Sequence, residues 1–148
     1  RYLYRSVTAA ESEQLRSNRR DKDLGPRKGK GKKVTDRFAH VTNAGAPSDY
    51  SSATTIEDDI GNRVTGEPFN KAGKIKIDLL HIDPGNLFPL TTPKERSRYG
   101  FSESGSSAKD AHATREVLIK ADVKSGVAIP KAAIVEFWTV NGTLVHID

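Results

Sequence analysis

Apolar residues in this chain come in short alternating or blocked runs, and few of them recur at helical spacing. Residues 2–7, YLYRSV, are aromatic and β-branched and predict a strand, with Arg5 as its one charged intruder. Residues 34–42, VTDRFAHVT, predict a short second strand. Over residues 74–82, KIKIDLLHI, Ile75, Ile77 and Leu79 alternate with Lys76 and Asp78, the period of a strand with one face buried. Val117, Leu118 and Ile119 form a block that reads as a strand buried on both faces, with Glu116 at its mouth. Residues 133–140 and 143–147 flank Asn141-Gly142, which predicts a hairpin closed by a type I′ turn. Trp138, inside that hairpin, is expected to be the largest contributor to the core.

Helical signals are fewer. Thr8-Ala9-Ala10-Glu11 matches a capping box, so a short helix is expected to about Ser17, turning Ala10, Gln14 and Leu15 inward. Thr54 with Glu57, or Thr55 with Asp58, can cap a second short helix that Gly61 would end. Residues 66–70 read as a turn, and Asp83-Pro84-Gly85-Asn86 as a type II turn. Residues 91–111 are polar and rich in serine and glycine, with Tyr99 and Phe101 as their large apolar residues, and read as one long loop. With no βαβ rhythm and no internal repeat, the expectation is an α+β fold of mostly antiparallel strands, forming one domain over residues 1–148.

Composition adjusts this picture. The hydrophobic fraction is 35% and the charged fraction 29%, so part of the chain is expected not to pack. Without Cys there is no disulfide and no Cys-built zinc site. Without Met, and beginning in strand-like sequence, the chain reads as cut from something longer. No apolar run approaches the roughly 20 residues a membrane helix needs. The net charge of +5 is concentrated in residues 19–33, where eight Lys and Arg face Asp21 and Asp23, giving +6. Three glycines and a proline in residues 24–33 predict a flexible basic segment. That segment suits attraction to nucleic-acid phosphates and equally suits a solvated loop; no aromatic residue interleaves the charges to stack on bases.

Familiar catalytic patterns are missing. His40, His81, His112 and His146 are widely separated and lack metal-ligand spacing, so no metal is expected, and His40, His81 and His146 read as packing residues in strands. The glycines of GPRKGKGKK lack the strand, helix and GK[ST] ending of a phosphate loop. What remains is an ordered series: Arg5 in the first strand, Ser51 and Ser52 before the second expected helix, and Glu116 opening a later strand.

This series resembles the arginine–serine–glutamate layout of ADP-ribosyltransferase toxins, in particular the C-terminal effector modules of bacterial polymorphic toxins. YLYRSVTAAESEQL and REVLIKADV carry most of the resemblance, and DYSSATT matches the middle motif imperfectly. It implies a split β-sandwich and NAD as co-substrate, with Arg5 gripping the NAD phosphates, Ser51 and Ser52 scaffolding the pocket and Glu116 holding the nicotinamide ribose. Members often carry Glu or Gln where this chain has Thr114, a position that usually engages the acceptor, so the acceptor stays open between RNA and protein. Lys28, Lys30 and Lys32 are the candidate contacts for RNA, and Tyr99 and Phe101 those for a protein. The resemblance further implies a monomeric antibacterial effector, secreted by a producer cell, acting in the target cytoplasm and restrained by a cognate immunity protein. Two other classes compete. A metal-independent ribonuclease toxin would use His112 with Lys109, Arg115 or Lys120, and a non-enzymatic nucleic-acid binder would use the basic segment alone.

Overall fold

Five of the strand signals fall into one sheet in the computed structural model, which describes every residue except 18–20, 27–32, 34–35, 43–47, 56–60, 63–66, 69–71, 114 and 148. In chain order the strands are β1 (Tyr2–Ser6), β2 (Tyr50–Thr54), β3 (Gly61–Asn62), β4 (Glu67–Pro68), β5 (Lys74–Asp78), β6 (Leu87–Pro89), β7 (Glu116–Lys120), β8 (Ile134–Trp138) and β9 (Leu144–Val145). The helices are α1 (Ala9–Arg16), α2 (Arg37–Thr42), α3 (Pro93–Arg98) and α4 (Ser106–Ala113). Seven strands pair in the order β6-β7-β2-β1-β5-β8-β9, every pairing antiparallel, and β3 pairs with β4 apart from them. The expected α+β class with mostly antiparallel strands is what the chain adopts.

Register decides which side chains meet. Directly paired residues share a face, and neighbours along a strand alternate. Leu3 and Arg5 pair with Ile77 and Ile75, and Ile75 with Phe137, so these lie on one face. There Leu15 of α1, Leu24, Ile129 and Ala133 complete the larger core. Tyr4 pairs with Thr54 and Thr54 with Glu116, which puts Ser52, Glu116 and Leu118 on the other face. That face is covered by α2, α3 and α4 through Val41, Leu90, Tyr99, Phe101, Ala108 and Ala111. Each fully buried Leu or Ile contributes about 1.5–3 kcal/mol, so neither face is dispensable. Among the described residues, β6-β7-β2 and β1-β5-β8-β9 join through the register pair Tyr4 with Thr54.

The first helix forms as its capping box predicts: Thr8 Oγ1 accepts from the Glu11 N–H (3.1 Å) and Glu11 Oε1 from the Thr8 N–H (2.9 Å). Leu15 is buried, whereas Ala10 is exposed.

Elsewhere local chemistry overrides the expectation. Residues 37–42 are helical, not extended: Phe38 and Val41 are three apart, which is helical spacing and not the even spacing of a strand face, and Val41 packs on the sheet. The strand expected over 74–82 stops at Asp78, whose carboxylate accepts from the Leu80 N–H (3.0 Å) and turns residues 79–81 into one 3-10 turn. Asp83 likewise caps a 3-10 turn over Pro84–Asn86, and Gly85 does not take the positive φ a type II turn needs. Gly61, expected to end a helix, instead opens β3; the helix itself falls on 56–60, outside the described residues, as does most of the 66–70 turn. At the last hairpin only Gly142 has positive φ (82°), with Gly142 N–H to Thr139 O and Thr139 N–H to Thr143 O both 2.9 Å. This is the three-residue loop ending in a left-handed glycine, not a type I′ turn. Phe137, with no exposed surface, is the core aromatic of β8, while Trp138 points to the other face under Lys74.

Two larger corrections concern the segments read as loops. Residues 91–111 contain α3 and most of α4. Thr92 and Glu95 form a second capping box with Pro93 at the first helical position, and Arg96, 2% exposed, donates to Leu90 O and forks onto Glu103. The basic segment is anchored at its start. The Lys22 ammonium is buried against the carbonyls of Gln14, Leu15 and Ser17 at the end of α1, and Leu24 pairs with Ile129.

Candidate active site on the α2–α4 face

Glu116 opens β7 immediately after a sharp turn. Helix α4 ends at Ala113, and Arg115 takes a left-handed φ of 51°, uncommon for a residue with a side chain. The chain then enters β7 between β6 and β2, which leaves Glu116 only 6% exposed. A carboxylate so placed needs donors, and Ser52 supplies one: its hydroxyl lies 2.5 Å from Glu116 Oε1, a charge-assisted distance.

Ser52 is one link of a longer chain. His40 Nε2 lies 2.7 Å from Ser52 Oγ, His40 Nδ1 lies 2.8 Å from Ser48 Oγ, and the Tyr50 N–H reaches Ser48 Oγ at 3.1 Å. One proton assignment runs through all of these with each donor used once. The Tyr50 amide donates to Ser48, Ser48 to Nδ1, the Nε2–H of a neutral imidazole to Ser52, and Ser52 to the carboxylate. His40 and Ser48 are buried, and Ser52 is the exposed member, so the network meets solvent beside Glu116.

Local structure explains the convergence. Ser52 and Tyr50 share a face of β2 because they are two apart, and Ser48 sits one further step back along the same chain. Helix α2 lies over this face, and its His40 ring tilts against Tyr50 at 6.0 Å between centroids. A ladder continues from Tyr50 to Phe88 (5.8 Å) and from Phe88 to Tyr99 (5.2 Å).

Of the residues singled out in the sequence, Ser52 and Glu116 are brought together. Arg5 is not: it lies on the α1 face, where Nη1 contacts both Glu11 oxygens at 3.1 and 3.0 Å, and its side chain is 10% exposed. Its position next to Ile75 inside an apolar face obliges it to find an internal carboxylate, and the capping glutamate of α1 is the one in reach. Ser51 also faces away from Glu116, and its hydroxyl is buried without a hydrogen-bond partner among the described residues. Phe101 is buried in the core, and Tyr99 is half-buried beside Phe88, so Phe101 anchors the cover instead of offering a surface contact. Lys28, Lys30, Lys32 and Thr114 lie outside the described residues. His112 is exposed at the end of α4, where its charge helps hold the Glu103 carboxyl below its usual range, after the larger effect of the Arg96 guanidinium.

His40 and Ser48 escaped the sequence reading because His40 was assigned to a strand. The usable signal was the alternation Ser48, Tyr50, Ser52, which places two hydroxyls on one face of one strand. Among the described residues no group of three or more His, Asp or Glu could hold a metal ion, and no helix is long and apolar enough to cross a membrane. No family model matches the chain, and no curated protein or solved structure matches it either.

Proposed function

We propose that the protein is a mono-ADP-ribosyltransferase that cleaves NAD, with Glu116 as its catalytic carboxylate. The observation that carries this reading is the buried Glu116 carboxylate held at 2.5 Å by the Ser52 hydroxyl and backed by His40 and Ser48. A carboxylate fixed in this way can accept a hydrogen bond from a ribose hydroxyl and oppose positive charge on the sugar. In the reaction the bond between ribose C1′ and the nicotinamide nitrogen breaks and its electron pair leaves with nicotinamide. An acceptor nucleophile then bonds to C1′ and gives up its proton. The transition state is oxocarbenium-like, as in glycoside cleavage, and a preorganised negative charge beside it lowers the barrier. Ser52 and His40 orient the carboxylate, and their hydroxyl and ring protons are used in doing so.

The α+β class with a mostly antiparallel sheet is compatible with the split β-sandwich that the resemblance implies. Arg5, paired with Glu11 on the opposite face, is assigned here to joining β1 and α1 and not to the phosphates. The acceptor is RNA or protein, and the setting is that of a monomeric effector with a cognate immunity protein, secreted and acting in the target cytoplasm. Incubation with labelled NAD and a bacterial lysate tests the proposal. Label transferred to macromolecules supports it, and sensitivity of the labelled product to ribonuclease or protease identifies the acceptor. RNA decay without NAD makes the protein a ribonuclease instead, and neither outcome leaves a binder.

A further inference from the structure

Resting on the reading of Glu116 as the ribose-facing carboxylate, we infer that Arg37 is the diphosphate-holding residue of the site. Arginine is charged at any physiological pH, and a buried guanidinium N–H without an acceptor costs free energy. Among the described residues Arg37 Nε is buried with no hydrogen-bond partner, and no carboxylate pairs with its guanidinium. Arg5, by contrast, has Glu11, and Arg96 has Glu103.

What Arg37 has is two aromatic rings. Its Cζ lies 5.0 Å from the centroid of Phe88 and 5.3 Å from that of Tyr99, rings that are themselves packed edge to face. Contacts of this kind stabilise the cation through the ring quadrupoles and satisfy none of its five N–H donors with a lone-pair acceptor. The guanidinium is therefore held in place beside the two rings while its Nε–H remains uncommitted, which is the state of an arginine prepared for an oxyanion. Phe88 pairs with Leu118, so the rings stand on the same face as Glu116, two residues along β7. Arg37 is also three residues before His40 on α2, so one helical turn ties the cation to the imidazole that reaches Ser52. Carboxylate and cation lie on one face, separated by part of one short helix, and a dinucleotide presents the matching pair of a ribose and a diphosphate. A diphosphate offers pairs of charged oxygens that a guanidinium fork can engage with two parallel N–H groups.

Isothermal titration of inorganic pyrophosphate and of NAD into wild type, Arg37→Lys, Arg37→Gln and Arg5→Lys tests this. Affinity for both ligands should fall roughly ten- to a hundredfold in Arg37→Gln, less in Arg37→Lys, and remain at the wild-type level in Arg5→Lys. Because Arg37 packs on two rings, a variant can lose its fold. The wild-type Arg37 Nε–H resonance, followed by NMR as pyrophosphate is added, gives a reading that needs no variant with an altered core. A shift that saturates with pyrophosphate supports the site. Unchanged affinity in a folded Arg37→Gln variant, a resonance that stays put while pyrophosphate binds, or no pyrophosphate binding at millimolar concentration overturns it. If pyrophosphate binds through Arg37 while NAD is neither bound nor cleaved, the anion site stands and the transferase reading falls. If NAD is cleaved as well by folded Arg37→Gln as by wild type, the reverse holds.

Discussion

The two faces of the sheet each hold a carboxylate in a mostly apolar layer, and they treat it differently. On the α1 face Glu11 accepts from the Thr8 N–H and from Arg5, so its charge is neutralised by a cation and a helix terminus. On the α2–α4 face Glu116 meets a serine hydroxyl, itself met by an imidazole whose other nitrogen meets a second serine. An ion pair holds two elements together and leaves little charge to act on anything else. On the reading proposed above, a carboxylate oriented through a serine hydroxyl at the solvent edge is set to oppose the positive charge of the transition state. The comparison teaches that burial of a charged residue does not by itself mark function; where its hydrogen-bond network leads, into the fold or out to solvent, is the sharper guide.

Glu116→Gln breaks the comparison most directly. The amide keeps the size and can still accept from Ser52, so the fold should survive, while the charge is gone. NAD cleavage should fall by at least roughly a hundredfold, the scale of losing one preorganised electrostatic group. Circular dichroism must show a native fold alongside the lost activity; activity within a few-fold of wild type would remove Glu116 from the mechanism.

The second test concerns the cover over the site. Arg96→Ala removes a guanidinium that ties Leu90 O and Glu103 together, leaving a buried carbonyl without its donor and a void where a long side chain lay. Unfolding in urea should show a loss of about 2–4 kcal/mol. Because Leu90 also donates to Glu116 O across the start of β7, activity should fall before the protein unfolds. A loss of stability with untouched activity would mean that the cover and the site are energetically separate.

The opposite face supplies the control. Arg5→Gln leaves Glu11 its caps and takes away its cation, so stability should drop by about 1.5–3 kcal/mol. NAD affinity of the folded variant should not change, because the register puts Arg5 on the other side of the sheet from Glu116. A selective fall in NAD affinity would return Arg5 to the phosphate-gripping role that its place in the sequence implied.

That reversal illustrates what the chain discloses and what it hides. β1, β5, β7 and the last hairpin were legible because their apolar residues alternate or cluster, and α1 because Thr8 and Glu11 cap it by chemistry contained in four residues. Glu116 was legible as a carboxylate at a strand mouth, whereas Ser52 was singled out only as a polar residue before an expected helix and the strand β2 that holds it was not foreseen. The face each occupies was not, since a side chain's face depends on register and one residue's slip inverts it; Arg5 and Ser51 fell on the wrong side for this reason. α2 was hidden because the β-branched and aromatic residues of 34–42 suggested a strand while the i, i+4, i+7 spacing of Val34, Phe38 and Val41 went unused, and with it went His40 and Arg37. α3 was hidden by the serine and glycine around it, although Thr92-Pro93-Lys94-Glu95 carries the same signal as Thr8 to Glu11.

The smallest expected effect sets those two capping boxes against each other. Desolvation works to raise the Glu95 carboxyl, but hydrogen bonds from the hydroxyls and amides of Thr91 and Thr92 outweigh it and hold Glu95 below its ordinary value. A carboxyl depressed in the folded state contributes stability that is fully present above its unfolded pKa, about 4.3, and is lost as pH falls through the folded value. Glu95→Gln keeps an acceptor for the Thr92 N–H and loses the charge at the start of α3. At pH 7 it should cost about 0.3–1 kcal/mol, and the difference from wild type should shrink steadily below about pH 4 as Glu95 itself becomes neutral. Glu11→Gln should cost more at pH 7, since it dissolves the pair with Arg5 as well as weakening the cap. Urea midpoints of the three proteins between about pH 3 and 7 measure both effects. Equal losses for the two variants at pH 7 would mean that Arg5 adds nothing to the capping glutamate, and the α1 face would then hold its charge no more firmly than the face that carries Glu116.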